Sequence, residues 1–195
     1  MASAALGRDK FYRIGDEQHH ARINAIHVGR SSQAGKGIAT ALTKRVRKEV
    51  DRIRDPVADG QYACGNYHSG GMSSGEGLIY EIRDASEPND KGEIIDCGVP
   101  DKRLYVFEPE LANTLRQAKR DGNTLSATIR MAFDGDDLAP ATKNNRIRAT
   151  APHICFYGGI TTFELRESLD QKNLTNGFAN RFLFCAGERI GIVPI

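Results

Sequence analysis

Apolar and polar positions along the chain change their spacing several times. Residues 23–28 form a short apolar run that is followed by glycine, as is typical of a buried strand. In the next segment apolar residues recur at helical spacing, at Ile38, Leu42, Val46, Val50 and Ile53. This spacing predicts an amphipathic helix with its basic residues on the other, solvated faces. The helix should end at Asp55, because a residue that precedes proline is disfavoured in helical geometry.

Along the rest of the chain, apolar runs typical of strands alternate with segments of helical spacing. Further strands are predicted at residues 78–84, 103–110, 153–162 and 180–186, and helices at residues 110–123 and 124–136. Glycine-rich residues 64–77 and polar residues 85–93 are predicted to be loops. Strands that alternate with helices predict an α/β fold with a largely parallel central sheet flanked by helices.

Composition limits the classes of protein to which the chain can belong. With 195 residues, of which 39% are hydrophobic, the chain is long enough to bury one sizeable core. Its 27 basic and 25 acidic residues nearly balance, so bulk charge favours neither nucleic acid nor a membrane as a partner. We expect residues 1–22 to be an N-terminal extension and residues 23–195 to be one domain, with further C-terminal segments in a full-length protein.

The cysteines and the N-terminal sequence bear on the cellular compartment. The cysteines are dispersed without a C-x-x-C pair, and neither a signal-peptide core nor a run of membrane-spanning length is present. Cys64 and His68 have the spacing of half a zinc site, but the absence of a second half-site favours ordinary thiols. The sequence therefore predicts a cytoplasmic protein without a membrane partner.

A glycine-rich segment, GRSSQAGKG, separates the first predicted strand from its helix. It is similar to a phosphate-binding loop, except that five residues rather than four lie between Gly29 and Gly35. Backbone N–H groups in such a turn, the positive end of the following helix and a lysine together bind phosphate oxygens. The candidate nucleotide-binding residues are Gly29, Ser31, Ser32, Gly35, Lys36, Gly37 and Thr40. The alternative is a structural turn.

Two acidic residues lie at the end of the predicted strand at residues 103–110. A carboxylate at the end of a buried strand can hold Mg²⁺ directly or through water, and a second carboxylate can orient the attacking water. Glu108 is the candidate magnesium ligand, and Glu110 and Glu76 compete for the second role. The alternatives are solvated glutamates at a strand end and, for Glu76, a helix or turn cap.

Two further positions complete the set of candidate catalytic groups. Thr161 and Thr162 end another predicted strand, where a polar side chain can sense the γ-phosphate of ATP. Arg181 is placed to stabilise transition-state charge in its own chain or in a neighbour's site. By itself, an arginine such as Arg181 is more often a surface or salt-bridge residue than a catalytic one. The order of loop lysine, acidic strand end, polar strand end and arginine is nevertheless that of a P-loop ATPase core.

Longer segments resemble a known family. SSGEGLIYEIRD, DKRLYVFEPELANTLRQAKRDGNTLSATIRMAFDG, TKNNRIRATAPHICFYGGITTFEL and NGFANRFLFC are similar to the YfjI-like bacterial family, a domain of unknown function in prophages and mobile elements. This resemblance covers residues 23–194. It implies a P-loop NTPase of the RecA or hexameric-helicase kind that uses ATP and Mg²⁺ and is associated with primase or helicase modules in DNA replication.

The chain departs from that family immediately after the loop lysine. Relatives tend to have R-K-G-T-S, whereas this chain has Gly35, Lys36, Gly37, Ile38 and Ala39. The hydroxyl that usually binds magnesium is therefore missing, and Thr40 could replace it only if the loop were displaced. The two hypotheses are an active ATPase and a non-hydrolytic nucleic-acid- or protein-binding module with a degenerate nucleotide site.

The segment TKNNRIRAT bears on a DNA partner. Lys143, Arg146 and Arg148 lie there among amide side chains, a composition suited to contacts with single-stranded or duplex DNA. A solvated loop is an equally good interpretation. If Arg181 acts on a neighbouring site, the protein must also form a homo-oligomer, for which a ring is the expected arrangement.

Overall fold

The structure is a computed structural model that describes residues 1–30, 36–53, 64–140, 147–169 and 176–187. The strands are β1 (Phe11–Ile14), β2 (Glu17–His20), β3 (Ala25–Val28), β4 (Asn66–Ser69), β5 (Arg103–Glu108), β6 (His153–Ile160) and β7 (Leu183–Ala186). The helices are α1 (Ala2–Leu6), α2 (Lys36–Ile53), α3 (Gly75–Tyr80), α4 (Leu111–Ala118), α5 (Leu125–Asp134) and α6 (Thr162–Ser168), with a 3-10 turn at Ala179–Arg181.

The central sheet contains five strands in the order β4–β5–β6–β3–β7. All four neighbouring pairs are parallel. The expected α/β class and largely parallel sheet are therefore confirmed, and the described part of this sheet has no antiparallel strand. Because every strand points the same way, all five carboxyl ends meet at one edge, where parallel sheets bind their ligands.

One face of the sheet carries the main apolar core. Leu104 and Val106 of β5 point to this face, and Ile154 and Phe156 of β6 lie beside them. Helices α3, α4 and α5 cover it with buried aliphatic side chains, among them Leu78, Ile79, Leu111, Leu115, Leu125 and Ile129. For α4 and α5 this is the amphipathic arrangement that the helical spacing of their segments predicts.

The opposite face is aromatic. Tyr105 and Phe107 alternate with the residues of the first face, since successive side chains of a strand point to opposite sides. Phe107 stacks on Tyr157 with ring centroids 5.4 Å apart, and Tyr67 lies 5.9 Å from Tyr105. Helix α1 covers this face near the amino ends of β5 and β6 with the buried Ala4.

Helix α2 contacts this aromatic face through cations. The Arg47 guanidinium lies 4.6 Å from the Tyr67 ring centroid, and the Lys44 ammonium lies 5.6 Å from that of Phe107. Leu42 and Val46, by contrast, are 51% and 41% exposed. At these two positions the apolar side of the helix therefore points away from the sheet. The basic side of the helix contacts the aromatic face instead.

The prediction of a strand at residues 78–84 is wrong. This segment begins inside α3, where Ser74 caps the helix by accepting the Gly77 N–H at 3.0 Å. Leu78, Ile79 and Ile82 are all buried, and their spacing fits one side of a helix better than alternation along a strand. The predicted loop at residues 64–77 is also wrong in part, since it contains β4 and the start of α3.

The N-terminal residues form α1 and the antiparallel hairpin β1–β2. Helix α1 is tied to the sheet by the Arg103 guanidinium, which donates to the Ala5 carbonyl at 2.9 Å. The hairpin projects with nearly all its side chains exposed. Within the described residues, no helix combines the length and the apolar character needed to cross a membrane.

Candidate functional site

Three of the candidate residues lie at or just after the carboxyl ends of neighbouring strands of the sheet. Gly29 follows β3 directly, Glu108 is the last residue of β5, and Thr161 follows β6. Since β5, β6 and β3 are consecutive strands, these three positions are close to one another along the edge. The sheet topology therefore brings together groups that lie between 53 and 132 residues apart in sequence.

The glycine-rich loop leads from β3 into α2. Gly29 is held at the sheet edge by its N–H, which donates to the Ile160 carbonyl at 3.2 Å. Helix α2 begins at Lys36, so the positive end of its dipole directly follows the loop. Ser31, Ser32 and Gly35 fall outside the described residues, as do the side chains of Lys36, Ile38 and Ala39. Gly37 is exposed and Thr40 is half-buried.

Glu108 is the most unusual charged residue at this edge. Its side chain is only 2% exposed, and Oε1 accepts the Met72 N–H at 2.9 Å. Other buried charged residues are compensated, since Asp101 pairs with Arg103 at 2.8 Å and Arg22 donates to carbonyls at the end of α5. Among the described residues, no lysine, arginine or histidine forms an ion pair with Glu108.

The strand register leaves a step in the sheet beside Glu108. Glu108 lies opposite Gly158, which lies opposite Ile26, whereas β6 and β3 continue for two more residues to Ile160 and Val28. The Glu108 backbone therefore lies about 7 Å short of the ends of those strands, measured along the strand direction, and about 10 Å across the sheet from β3. Gly158 and Gly159 bear no side chains between them, and a Cβ at Gly158 would collide with Leu111.

The other two candidate glutamates lie near the same edge. Glu76 is in the first turn of α3, and its Oε2 accepts the Thr124 hydroxyl at 3.2 Å. A carboxylate there also interacts favourably with the positive end of the helix dipole. Glu110 is exposed at the N-cap of α4, without a capping hydrogen bond from its side chain. Glu76 is thus engaged in holding α3 to the chain before α5, while Glu110 faces solvent.

The two threonines have different surroundings. Thr161 is the N-cap of α6, where its hydroxyl accepts the Glu164 N–H at 3.2 Å and donates to Glu164 Oε2 at 2.7 Å. This pair is a capping box, so the Thr161 hydroxyl already has a donor and an acceptor within its own helix. Thr162, the first residue of α6, is exposed.

Arg181 lies at the opposite end of the sheet. It belongs to the turn before β7, and its guanidinium contacts Asp134 Oδ2 at 2.6 Å and the Gly177 carbonyl at 2.8 Å. The strand that follows starts where the Leu183 N–H donates to the Asn24 carbonyl at 2.8 Å, next to the amino end of β3. Arg181 is therefore remote from Glu108 and Gly29 of its own chain.

The basic segment proposed for DNA is described only in part. Lys143 and Arg146 lie outside the described residues. Arg148 is exposed and forms an ion pair with Asp137 at 2.8 Å, near the amino end of β6. Arg148 is thus also remote from the carboxyl edge, and part of its charge is compensated.

A small open cavity lies beside the edge, on the aromatic face. It has a volume of about 300 Å³ and is lined by His27, Tyr157, Cys185 and Ala186, among others. The His27 Nδ1 lies 3.2 Å from the Tyr157 hydroxyl, and burial raises the pKa of that hydroxyl above its usual value, as does the nearby Cys185. The tyrosine is therefore a neutral hydrogen-bonding group at physiological pH.

Metal ligands are sparse in the described parts of the chain. No group of three or more histidine, cysteine or acidic side chains there could hold a metal ion. Cys64 is buried, and His68 Nδ1 lies 3.1 Å from Glu81 Oε1 instead of taking part in a zinc site. A metal at Glu108 would need most of its ligands from water or from a bound substrate.

Two features of the site were missed in the sequence. The Met72 N–H that binds Glu108 follows β4, whose sequence NYHS lacks the aliphatic residues of a typical buried strand. The capping box at Thr161 does have a sequence signal, the spacing T-x-x-E. That spacing indicates the start of a helix at Thr161, in addition to a polar end of the preceding strand.

Comparison with known proteins does not identify the chain: no protein-family model matches it, and neither does any curated protein sequence.

Proposed function

We propose that the protein is a P-loop, RecA-like NTPase domain that binds ATP with Mg²⁺ at the carboxyl edge of the sheet. The observation that carries the proposal is the buried Glu108. Burying a carboxylate at this depth is costly unless an opposite charge lies nearby, and the Met72 amide supplies one hydrogen bond but no charge. A cation that arrives with a nucleotide supplies that charge.

The neighbouring backbone supports a phosphate chain in the same place. The amino end of the 18-residue α2, which follows the turn after Gly29, would provide N–H groups for phosphate oxygens. The bare glycines of β6 lie between this turn and Glu108, at separations that a triphosphate and one cation can span. Lys36, the first residue of α2, would neutralise phosphate charge.

The residues present fit magnesium better than a cation that needs a protein cage. Mg²⁺ usually keeps several waters and takes one or two carboxylates together with substrate phosphates. Glu108 is such a carboxylate, and Glu110 or Glu76 would orient water if hydrolysis occurs. When bound, the ion would stabilise negative charge that develops on the phosphates.

The second candidate function is nucleotide binding with little or no hydrolysis. Ile38 and Ala39 stand where a magnesium-binding hydroxyl is expected, and the capping box occupies the Thr161 hydroxyl. Thr162 remains the better sensor candidate of the two threonines. On this reading the domain is a regulatory or scaffolding module.

We further propose that the domain acts with DNA in replication or mobilisation of a phage or mobile element. The basic segment of Lys143, Arg146 and Arg148 is its proposed contact with DNA. Arg181, remote from its own Glu108, would act in a neighbouring subunit's site.

The test is ATP binding and turnover by the purified protein with Mg²⁺, with and without single-stranded DNA. Lys36→Ala should weaken ATP binding, whereas Glu108→Gln should retain binding and reduce turnover on the order of a hundredfold. Lys10→Ala and Glu17→Gln, which alter exposed residues of the N-terminal segment, are the matched controls.

Thermal stability separates binding from hydrolysis. Mg²⁺ with a non-hydrolysable ATP analogue should raise the melting temperature of the wild type and of Glu108→Gln, and raise it less in Lys36→Ala. Such a shift without turnover favours the second candidate function. Equal melting temperatures with and without nucleotide, together with background turnover in every variant, would exclude both.

A further inference from the structure

Helix α2 presents an apolar and basic surface to solvent. Leu42 and Val46 are one turn apart and exposed, and Arg45 and Lys48 beside them are exposed as well. We call these four residues the α2 stripe. The helix as a whole carries six basic and two acidic side chains, and one acidic residue, Glu49, is paired with Arg52 at 3.0 Å. The stripe therefore favours a partner that is apolar and acidic.

A second surface of the chain has those properties. The loop between α3 and β5 exposes Ile94 by 54% and Ile95 by 80%. The segment EPNDKGEII, residues 87–95, which we call the acidic loop, holds three acidic residues and one lysine. Contiguous exposed apolar side chains that are rimmed by polar residues are a feature of binding surfaces.

The acidic loop is internally ordered. The Asn89 side-chain oxygen accepts the N–H groups of Lys91 and Glu93, both at 2.9 Å. At the base of the loop, the Ser86 N–H donates to the Asp96 carbonyl at 2.8 Å, and Arg83 donates to Asp96 Oδ1 at 3.0 Å. These bonds hold the isoleucines in place before binding, which lowers the entropy lost when a complex forms.

We propose that the α2 stripe of one copy of this chain binds the acidic loop of a second copy. The two surfaces match in apolar character and have opposite charge, which gives both attraction and specificity. Both are exposed in the same molecule, so neither covers the other within one chain. The contact must therefore join two different molecules.

The contact is head-to-tail, because it joins two different surfaces. Such contacts produce a closed ring if the rotation between subunits closes and a filament if it does not. With four apolar side chains at its centre, the interface is small, and we expect weak association that depends on protein concentration. It requires no nucleotide.

Sedimentation velocity across a wide range of concentrations, without nucleotide, tests the proposal. Wild-type protein should associate, and added salt should weaken the association because it screens the opposite charges. Val46→Asp and Ile95→Asp should each weaken it by about tenfold or more. Ile14→Asp in the exposed β1 is the matched control and should have no effect.

Charge reversal provides a second test. Arg45→Glu with Lys48→Glu, and Glu87→Lys with Glu93→Lys, should each prevent self-association. An equimolar mixture of the two double variants should associate again, since each reversed surface then meets an opposite charge. A merely misfolded variant would not regain association on mixing.

Three outcomes would overturn the inference: a wild type that stays monomeric, a mixture that stays monomeric, or an Ile14→Asp variant as impaired as Ile95→Asp. A monomer that still binds ATP would overturn this inference and leave the proposed nucleotide site standing. Self-association without ATP binding would support this inference and overturn the proposed nucleotide site.

Discussion

The two faces of the central sheet are stabilised in different ways. On one face, α3, α4 and α5 bury aliphatic side chains against Leu104 and Val106. On the other, α2 contacts the rings of Tyr67 and Phe107 through Arg47 and Lys44 and leaves Leu42 and Val46 exposed. The first face is part of the buried apolar core. The second face is contacted by α2 through these two cations, and the exposed Leu42 and Val46 belong to the surface that we propose binds a partner.

This difference has a functional consequence. Helix α2 starts at the proposed phosphate site, and its outer side carries the proposed subunit contact. A helix that contacts a sheet through cations on aromatic rings exposes less apolar area when it shifts than a helix whose aliphatic side is buried, so its movement costs less free energy. Nucleotide binding and assembly would both act on α2.

The largest effect is expected in the aliphatic core. Leu104→Ala removes a fully buried side chain of β5 and should lower the free energy of unfolding by about 2–5 kcal/mol, through lost burial and the cavity left behind. Urea denaturation measures this loss. A change below about 1 kcal/mol would mean that the first face is not a close-packed core.

A smaller effect is expected where α2 contacts the aromatic face. Arg47→Met removes the contact with the Tyr67 ring and the 2.8 Å hydrogen bond to the Gly65 carbonyl, and should cost about 1–2 kcal/mol. Arg45→Met, on the exposed side of the same helix, is the control and should change stability by less than about 0.5 kcal/mol. Equal effects of the two changes in urea denaturation would contradict the proposed orientation of α2.

A pH-dependent effect is expected beneath α1. Burial lowers the pKa of His153, and the nearby charges of Arg22, His20 and Arg8 lower it further, against a hydrogen bond to the Ser3 carbonyl. The unfolded chain therefore binds a proton near the ordinary pKa of 6.5, whereas the folded chain takes it up only at lower pH. The stability due to the neutral, buried His153 is present above pH 6.5 and is lost as the pH falls through the lowered pKa.

Denaturation between about pH 8 and about pH 5 measures this loss. His153→Gln, which keeps a donor for the Ser3 carbonyl, should be less stable at neutral pH and lose less stability in acid than the wild type. Parallel pH profiles for the two proteins would show that His153 is not the group that titrates.

The smallest effect is expected at the exposed stripe. Leu42→Ala should change the stability of dilute, monomeric protein by less than about 0.5 kcal/mol, because the side chain is already half exposed. It should weaken self-association in sedimentation experiments. A loss of stability as large as that of Leu104→Ala would show that the stripe packs within its own chain.

Much of the fold follows from local patterns. Apolar runs locate β3, β5 and β6 to within a few residues, and helical spacing followed by glycine locates α4 and α5. Alternation of these elements is sufficient for a parallel sheet, and the position of Glu108 at the end of a strand is read directly from its sequence. At residues 78–84 the sequence predicts a strand where the structure has part of α3, because a short apolar run fits a buried strand and one side of a helix equally well.

Sequence alone thus determined the elements, the parallel sheet and the residue types at its carboxyl edge. Only the tertiary structure decided which side of α2 meets the sheet, that Glu108 is buried opposite Gly158 with a backbone amide as its partner, and that Arg181 lies at the far edge beside Asp134. The reason is physical: periodicity fixes the relative directions of side chains within one element. Burial, charge compensation and proximity depend on what the rest of the chain places opposite them.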